Sequence, residues 1–158
     1  IRSCLVGSEM CIRDRIHLVM TIPISVELDI PHFKESQSLS ISFAMNNKEI
    51  HKASKIHGNH IIKIDDVALL PNSRNTFTMK VSDFQNDYYQ DPFHKVCCRI
   101  KNIEFDEIPL NSLIGSHGRF RPENSADTIT LPDQTINDNG CWILEFNNPL
   151  YHWMFEQT

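Results

Sequence analysis

The stretch GCWILEFNNPLYHWMF, residues 140–155, decides the fold that the sequence predicts, and it holds both tryptophans of the chain, Trp142 and Trp153. Large apolar side chains occupy alternate positions from Trp142 to Phe146, which is typical of a strand with one buried face. An Asn-Asn-Pro run then ends the strand, and residues 150–155 can form a short helix that is marginal unless it docks. We therefore predict that this segment closes the core as a last strand and a docked terminal turn.

The rest of the chain supplies strands for this segment to pack against. Apolar and polar residues alternate in short segments, at 22–30, 39–45, 48–52, 60–64 with a continuation to 70, 76–82, 95–109 and 128–131. Residues 115–118 are predicted to be a loop, and 95–109 to carry the longest strand. Seven or eight such strands without a long amphipathic helix indicate an all-β fold, an antiparallel β-sandwich of the jelly-roll kind with a short C-terminal helical turn.

Three local signals refine the strand prediction. Asn46 and Asn47 tolerate positive φ angles and predict a tight hairpin turn. Pro23 predicts either an edge strand or a position near the start of a strand, where a missing N–H is tolerated. The apolar register shifts by one residue between Ile100 and Ile103, which predicts a β-bulge or a bend.

The N-terminal residues have a different character. Residues 5–15, LVGSEMCIRDR, resemble a translated sequencing adapter, because a transposase-library oligonucleotide read in this frame encodes LVGSEMCIRD. Charges interrupt this segment, so it lacks the apolar core of a signal peptide. We predict that residues 1–19 are a non-native, disordered artefact and that a single β-sandwich domain covers residues 20–158, beginning at Met20.

Charge and cysteine content narrow the function classes. Without residues 1–19, three arginines and two acidic residues are removed and the net charge of −5 becomes −6, which disfavours a general nucleic-acid binder. Cys97, Cys98 and Cys141 remain, an odd number with one adjacent pair, which favours a reducing compartment over a disulfide framework. No apolar run approaches the roughly 20 residues that span a bilayer. We therefore expect a soluble protein without a membrane or nucleic-acid partner, in a virion or the host cytoplasm.

The first candidate site is the loop DFQNDYYQDP. Asp83, Asp87 and Asp91 place three carboxylates in one loop, and calcium takes oxygen ligands of this kind. The alternative is a solvated acidic loop, since the spacing matches no EF-hand. Tyr88 and Tyr89 can stack on a sugar face or cover the end of the sandwich.

The second candidate site is a pair of arginines. Arg119 and Arg121 alternate about Phe120, so on an extended segment both face the same way and can grip a carboxylate or a phosphate. The alternative is two surface arginines that flank a buried phenylalanine.

Catalytic motifs are absent from the sequence: it contains no P-loop, dinucleotide fingerprint, GxSxG elbow or HExxH. Adjacent Cys97 and Cys98 should point to opposite faces of an extended strand, which disfavours a two-cysteine metal clamp. A glycosidase needs two carboxylates at a defined separation. Those available for a hydrolase or lyase are Glu104, Asp106, Glu107 and Glu145.

Two resemblances cover residues 39–155. An alternating strand, an Asn-Asn turn, FTMKVSDFQND and then VCCRIKNIEFDEIPL resemble the calcium-dependent carbohydrate-binding modules that bind xylan. This implies glycan binding, with Asp83, Asp87 or Asp91 near a calcium ion. The tail GCWILEFNNPLYHWMF looks like that of small proteins from marine tailed phages, in which a G-x-W strand leads to an aromatic terminus. This implies a viral origin.

The leading functional hypothesis is a non-enzymatic, viral β-sandwich module that acts in a virion or binds a glycan. Its expected partners are a glycan or another virion protein, bound through loop residues such as Tyr88, Tyr89 and Asp87, with calcium as a candidate cofactor. The alternative is a small glycan-active hydrolase or lyase that uses Glu and Asp side chains on a sheet face.

Overall fold

A computed structural model describes residues 20–31, 39–84, 96–131 and 133–157. These residues form ten strands and two short helices. In chain order the elements are β1 (Met20–Ile30), β2 (Ser40–Met45), β3 (Lys48–Ser54), β4 (Gly58–Leu69), β5 (Arg74–Ser82), β6 (Cys98–Phe105), β7 (Ile108–Pro109), α1 (Asn111–His117), β8 (Arg119–Pro122), β9 (Thr135–Ile136), β10 (Gly140–Asn147) and α2 (Leu150–Glu156).

The strands form two antiparallel sheets that enclose one core. Sheet A has the order β4-β1-β6-β7, with β9 also paired to β6, and sheet B has the order β3-β2-β5-β10-β8. Side chains of the two inner faces meet in the core, where Phe77 of sheet B contacts Phe105 of sheet A edge-to-face with ring centroids 5.5 Å apart. The predicted all-β sandwich with a short C-terminal helix is therefore confirmed.

The C-terminal segment closes the core as predicted. Trp142, Leu144 and Phe146 of β10 are at most 1% exposed, because their strand lies inside sheet B between β5 and β8. The amphipathic helix α2 then docks its apolar side, since Leu150 is fully buried and Trp153 is 6% exposed. The tryptophans are core residues in the sandwich rather than a platform for a ligand.

The position of Trp142 depends on the absence of a side chain at Gly118. A Cβ atom at Gly118 would lie 2.5 Å from Cζ2 of Trp142 and 2.4 Å from the carbonyl oxygen of Ile114, distances that no real Cβ contact tolerates. The glycine between α1 and β8 is thus required by close approach of the indole ring.

The local predictions have mixed outcomes. Asn46 and Asn47 form the hairpin turn with φ angles of 52° and 66°, as predicted. The register of β6 against β1 shifts between Ile100 and Asn102, which confirms the predicted bulge. Pro23 does not mark an edge strand, because β1 pairs with β4 on one side and with β6 on the other. It lies near the strand's start, where the register against β4 shifts and no N–H is needed.

Three sequence predictions are wrong. The loop predicted at residues 115–118 is largely the end of α1, which carries its two buried residues, Leu113 and Ile114, on one side. The longest strand is β4 with 12 residues rather than the segment at 95–109, which splits into β6 and β7 at a turn. The strand predicted at 128–131 is reduced to one bridge between Ile129 and Phe120.

A buried polar network ties together three turns at one end of the sandwich. The side chain of Asn75 is fully buried, and its Oδ1 accepts hydrogen bonds from the backbone N–H of Leu70 and from Nδ2 of Asn46, both at 2.8 Å. Its Nδ2 donates to the carbonyl oxygens of Leu70 at 3.2 Å and Ser73 at 3.1 Å. Asn148 donates to the same Leu70 carbonyl at 3.1 Å. The network thereby joins the β2–β3, β4–β5 and β10–α2 connections.

The two ends of the sandwich differ in how strands are connected. At the end that holds Asn75, short turns join β2 to β3, β4 to β5 and β6 to β7. At the opposite end, short connections join β3 to β4 and β9 to β10, and the three longer connections, which follow β1, β5 and β8, begin there at residues 31, 83 and 123. We call these the turn end and the loop end.

Candidate ligand-binding site

A row of basic residues crosses the outer face of sheet B. Direct cross-strand partners connect the row through all five strands, in the order Lys52, Ser42, Lys80, Cys141 and Arg121. The three cationic residues are exposed, and the serine and cysteine between them are partly buried. We call these five residues the basic row. Because its cations alternate with short side chains, the positive charges extend beyond the side chains between them.

Most outward residues next to the basic row on the same strands have short side chains. On the loop-end side, Ser40 pairs with Ser54 and with Ser82, which gives three hydroxyl side chains in line. On the turn-end side, Ala44 pairs with Thr78, and Thr78 pairs with Ile143. The turn-end line also holds larger side chains, Ile143 and the exposed Glu49, which is the other partner of Ala44. Serine, alanine and threonine project little beyond the backbone, so beside these residues the lysine and arginine side chains extend further from the sheet.

A groove of about 280 Å³ lies at the β8 side of the basic row. Its floor includes Cys141 and Gly140, and Lys80 and Arg121 stand on its two sides, because both are the cross-strand partners of Cys141. The groove is also lined by Pro122, Glu123 and Ser125. A guanidinium and an ammonium group separated by a short thiol are suited to an anionic group that enters between them.

The predicted arginine pair is divided between two roles. Arg119 and Arg121 are partners of Ile143 and Cys141, so both lie on the outer face of sheet B, and Phe120 between them is 2% exposed. Nη1 of Arg119 donates to the carbonyl oxygens at the end of α1, those of Ser116 at 2.8 Å and Gly118 at 2.9 Å. Arg121 lines the groove instead. The structure therefore gives Arg121 a different set of neighbours from Arg119, and their joint grip on an anion stays a prediction.

Cys141 is held as a thiol. Burial raises the pKa of its side chain above the ordinary value, and the nearby charges of Arg121 and Lys80 oppose this shift without cancelling it. A cysteine nucleophile reacts as the thiolate, which a raised pKa disfavours near neutral pH. The position of Cys141 thus fits the floor of a binding groove better than an attacking group.

The predicted calcium loop falls mostly outside the described residues. Asp87, Asp91, Tyr88 and Tyr89 lie there, and so does the predicted artefact at residues 1–19. Asp83 is described: it is exposed and has a φ of 66°. Among the residues that the structure describes, no group of three or more His, Cys, Asp and Glu side chains is arranged to hold a metal ion.

The start of that loop is fixed beside the groove. The backbone N–H of Phe84 donates to Oδ1 of Asn139 at 3.0 Å, and Nδ2 of Asn139 donates back to the carbonyl oxygen of Phe84 at 3.0 Å. The carbonyl oxygen of Asn139 also accepts a hydrogen bond from the backbone N–H of Glu123, which lines the groove. The β5–β6 connection therefore departs from the loop end of the sandwich next to the groove.

The candidate carboxylates are distributed over both outer faces. Glu104 is the partner of Ser25 on sheet A, whereas Glu145 is the partner of Thr76 on sheet B and pairs with Arg74. The core lies between these two glutamates, so they cannot flank one glycosidic bond.

Glu107 shares a smaller groove with Glu104, of about 180 Å³, which Asp65 and Lys63 also line. Asp106 accepts a hydrogen bond from the hydroxyl of Tyr151, and this bond raises the pKa of the tyrosine. A hydrolase or lyase on this chain would have to combine Glu104 with Glu107 or Asp65 rather than with Glu145.

The adjacent cysteines depart from the predicted geometry. Strand β6 begins at Cys98, so Cys97 lies before it and does not follow the alternation of the strand. Both side chains are fully buried. The pKa of Cys97 lies far above its ordinary value, chiefly because of a hydrogen bond with Cys98 and secondly because the thiol is buried. The two thiols are therefore neighbours in the core rather than on opposite faces of the strand.

Sequence reasoning missed Lys52, Lys80 and Cys141 as site residues. Each lies at the polar position of a correctly predicted strand, but nothing in the sequence showed which of these strands are neighbours. The basic row exists only because β2, β5 and β10 pair in one register, and that register is a tertiary property.

Comparison with known proteins adds no identification. No family, curated protein or solved structure matches the chain. Neither described helix has the length and apolar character needed to cross a membrane.

Proposed function

We propose that the protein is a non-enzymatic binding module that holds an acidic glycan on the outer face of sheet B. The observation that carries this proposal is the groove in which Lys80 and Arg121 flank Cys141. The guanidinium of Arg121 would donate two parallel N–H hydrogen bonds to a carboxylate or sulfate group. The Lys80 ammonium would add a positive charge on the other side of that group.

The surroundings of the groove favour a sugar over a compact apolar ligand. Ser125 lines it, so a hydroxyl group is available there to a polyhydroxylated ligand. A volume of about 280 Å³ lies at the small end of ligand pockets, which suits one ring of a longer chain. Glu123 also lines the groove, so its two cations, Lys80 and Arg121, face one acid and the net charge of the lining is positive.

Charge separates sheet B from sheet A. The outer positions of β1 and β6 in sheet A mix the acids Glu27, Asp29 and Glu104 with the cations Arg99 and Lys101, and Asp29 pairs directly with Arg99. In the basic row of sheet B, by contrast, no acid lies between the three cations. The chain as a whole carries a net charge of −5, so a local concentration of cations on one face is the feature that would guide an anionic ligand to it. A place on a virion surface stays a prediction from the resemblance of the C-terminal segment.

The test is calorimetric titration with polygalacturonate, heparin and neutral xylan, each with and without calcium. We expect the two acidic polymers to bind and Arg121→Gln to weaken binding about tenfold or more, the size expected for loss of one charge-assisted hydrogen bond. Lys63→Gln is the matched control, because Lys63 is an exposed strand residue opposite a serine in sheet A, as Lys80 is in sheet B.

Two results would contradict the proposal. Equal binding of neutral and acidic polymers would show that the groove does not select charge. Calcium-dependent xylan binding that Arg121→Gln leaves unchanged would place the site on the aspartate loop that the sequence resemblance implies.

A catalytic role would be detected in the same experiments. If the protein is a glycosidase, long incubation should shorten the polymer chains, and the Glu104→Gln variant should leave their length unchanged. Chain shortening that Glu104→Gln abolishes would replace the binding module with the hydrolase or lyase.

A further inference from the structure

We infer that the ligand is a linear polyanionic chain that lies across the strands of sheet B and contacts the whole basic row, not only the groove. This inference rests on the proposed function and names its ligand class. The observation is that the register of sheet B places Lys52, Lys80 and Arg121 on one line, each separated from the next by one short side chain.

The spacing of the cations follows from sheet geometry. Neighbouring strands lie about 4.8 Å apart, so Lys52, Lys80 and Arg121, which occupy every second strand, have backbones about 10 Å apart and span about 19 Å. This length exceeds a single sugar ring. A ligand that contacts all three must carry repeated negative charges along an extended chain.

Sheet twist limits the kind of chain. Each strand is rotated by roughly 20–25° from its neighbour, so the direction in which the outer side chains point turns by roughly a quarter circle from β3 to β8. A single flexible chain can follow this turn while it keeps contact with the serine, alanine and threonine floor. Stiff double-stranded DNA, with a persistence length of about 50 nm, bends over such a distance only at a cost.

The three cations should act almost independently. At physiological ionic strength the Debye length is about 8 Å, slightly less than the separation of neighbouring cations in the basic row. Removal of one charge should then lower the affinity for a long chain by a factor that the other two charges do not alter. Lys52 should have no influence on a ligand that fills only the groove beside Arg121.

The experiment compares galacturonate with its linear octamer on the full chain. We expect Arg121→Gln to weaken both ligands, Lys52→Gln to weaken only the octamer by about three- to tenfold, and Lys63→Gln to weaken neither. The octamer should also slow alkylation of Cys141 by iodoacetamide, followed by peptide mass spectrometry, because Cys141 lies inside the basic row. Thermal melts of each variant establish that the fold is intact.

The outcomes separate the two proposals. If Lys52→Gln leaves octamer binding unchanged while Arg121→Gln weakens it, the chain does not cross the sheet and only the groove proposal survives. If Arg121→Gln affects neither ligand and Cys141 is not protected, both proposals are wrong. Tighter binding of a DNA duplex than of the octamer would overturn the choice of a glycan and assign the basic row to a nucleic acid.

Discussion

Replacement of Asn75 by alanine tests the polar network at the turn end of the sandwich. The Asn75 side chain makes four hydrogen bonds, two as acceptor and two as donor, at distances from 2.8 to 3.2 Å. Replacement by alanine removes all four of these hydrogen bonds at once. The backbone N–H of Leu70 and the side-chain amide of Asn46 would then lose an acceptor inside the protein.

The magnitude follows from what is left unpaired. A buried donor without an acceptor costs about 1–3 kcal/mol, and the small cavity adds to this. Leu70 is 48% exposed, so water can satisfy part of its backbone group, and the expected loss is nearer to the sum of one full and one partial penalty. We expect Asn75→Ala to lower the free energy of unfolding by about 2–4 kcal/mol. For a domain of this size the midpoint temperature should fall by about 5–15 °C.

Urea unfolding followed by tryptophan fluorescence measures the change, with the slope against denaturant as a check on two-state behaviour. The matched control is Asn59→Ala, because Asn59 is exposed and its Oδ1 accepts an exposed hydrogen bond from Nζ of Lys101, at 2.9 Å. The control should change stability by less than about 0.5 kcal/mol. An Asn75→Ala protein no less stable than Asn59→Ala would refute the assignment of the network as a stabilising centre.

The remaining predictions concern the core and the thiol in the groove. Gly118→Ala should destabilise the fold by about 1–3 kcal/mol, because the new methyl group would meet Trp142 at 2.5 Å, and thermal unfolding measures this. Trp153→Ala should cost about 3–5 kcal/mol in urea unfolding, since the indole is 6% exposed, and truncation after Asn148 should unfold the domain. The alkylation rate of Cys141 should rise with pH along a titration whose pKa lies above the ordinary value near 8.5, and Arg121→Gln should raise that pKa further.

Each of these predictions has a control in the same chain. Gly115→Ala places a methyl group 3.2 Å from Nε2 of Gln134 and near no backbone atom, a much looser contact than the 2.4 and 2.5 Å at Gly118, so it should cost less than Gly118→Ala. Tyr151→Phe removes one exposed hydrogen bond from α2 and should cost far less than Trp153→Ala. A cooperative melt of the chain truncated after Asn148 would contradict the packing of the C-terminal helix. A lower pKa of Cys141 in Arg121→Gln would contradict the position of the Arg121 charge beside the thiol.

Strand positions could be predicted because alternation is a local property. A few consecutive residues are enough to predict the apolar face of β10, the Asn-Asn turn and the bulge in β6. Helix α1 was missed because Gly115 and Ser116 are typical of loops, and the buried pair Leu113 and Ile114 that holds the helix is too short a pattern to stand out. Tertiary packing here overrides weak local preference.

The candidate site was harder to predict, since it depends on which strands become neighbours. Arg121 could be selected from its spacing, but Lys80 lies 41 positions earlier and reaches the groove only through the pairing of β5 with β10. The predicted Asp83, Asp87 and Asp91 set illustrates the opposite case, in which a local cluster is easily seen and only Asp83 lies in the described part of the chain.

The separation of the turn end from the loop end has a consequence for how this sandwich can change in evolution. Asn75 and its partners hold three connections at one set of lengths, so an insertion there would break several hydrogen bonds together. The longer connections that follow β1, β5 and β8 begin at the other end of the domain, and doubling the length of a loop costs only about 0.6 kcal/mol. Sequence variation that creates new specificity can therefore accumulate beside the groove while the opposite end preserves foldability.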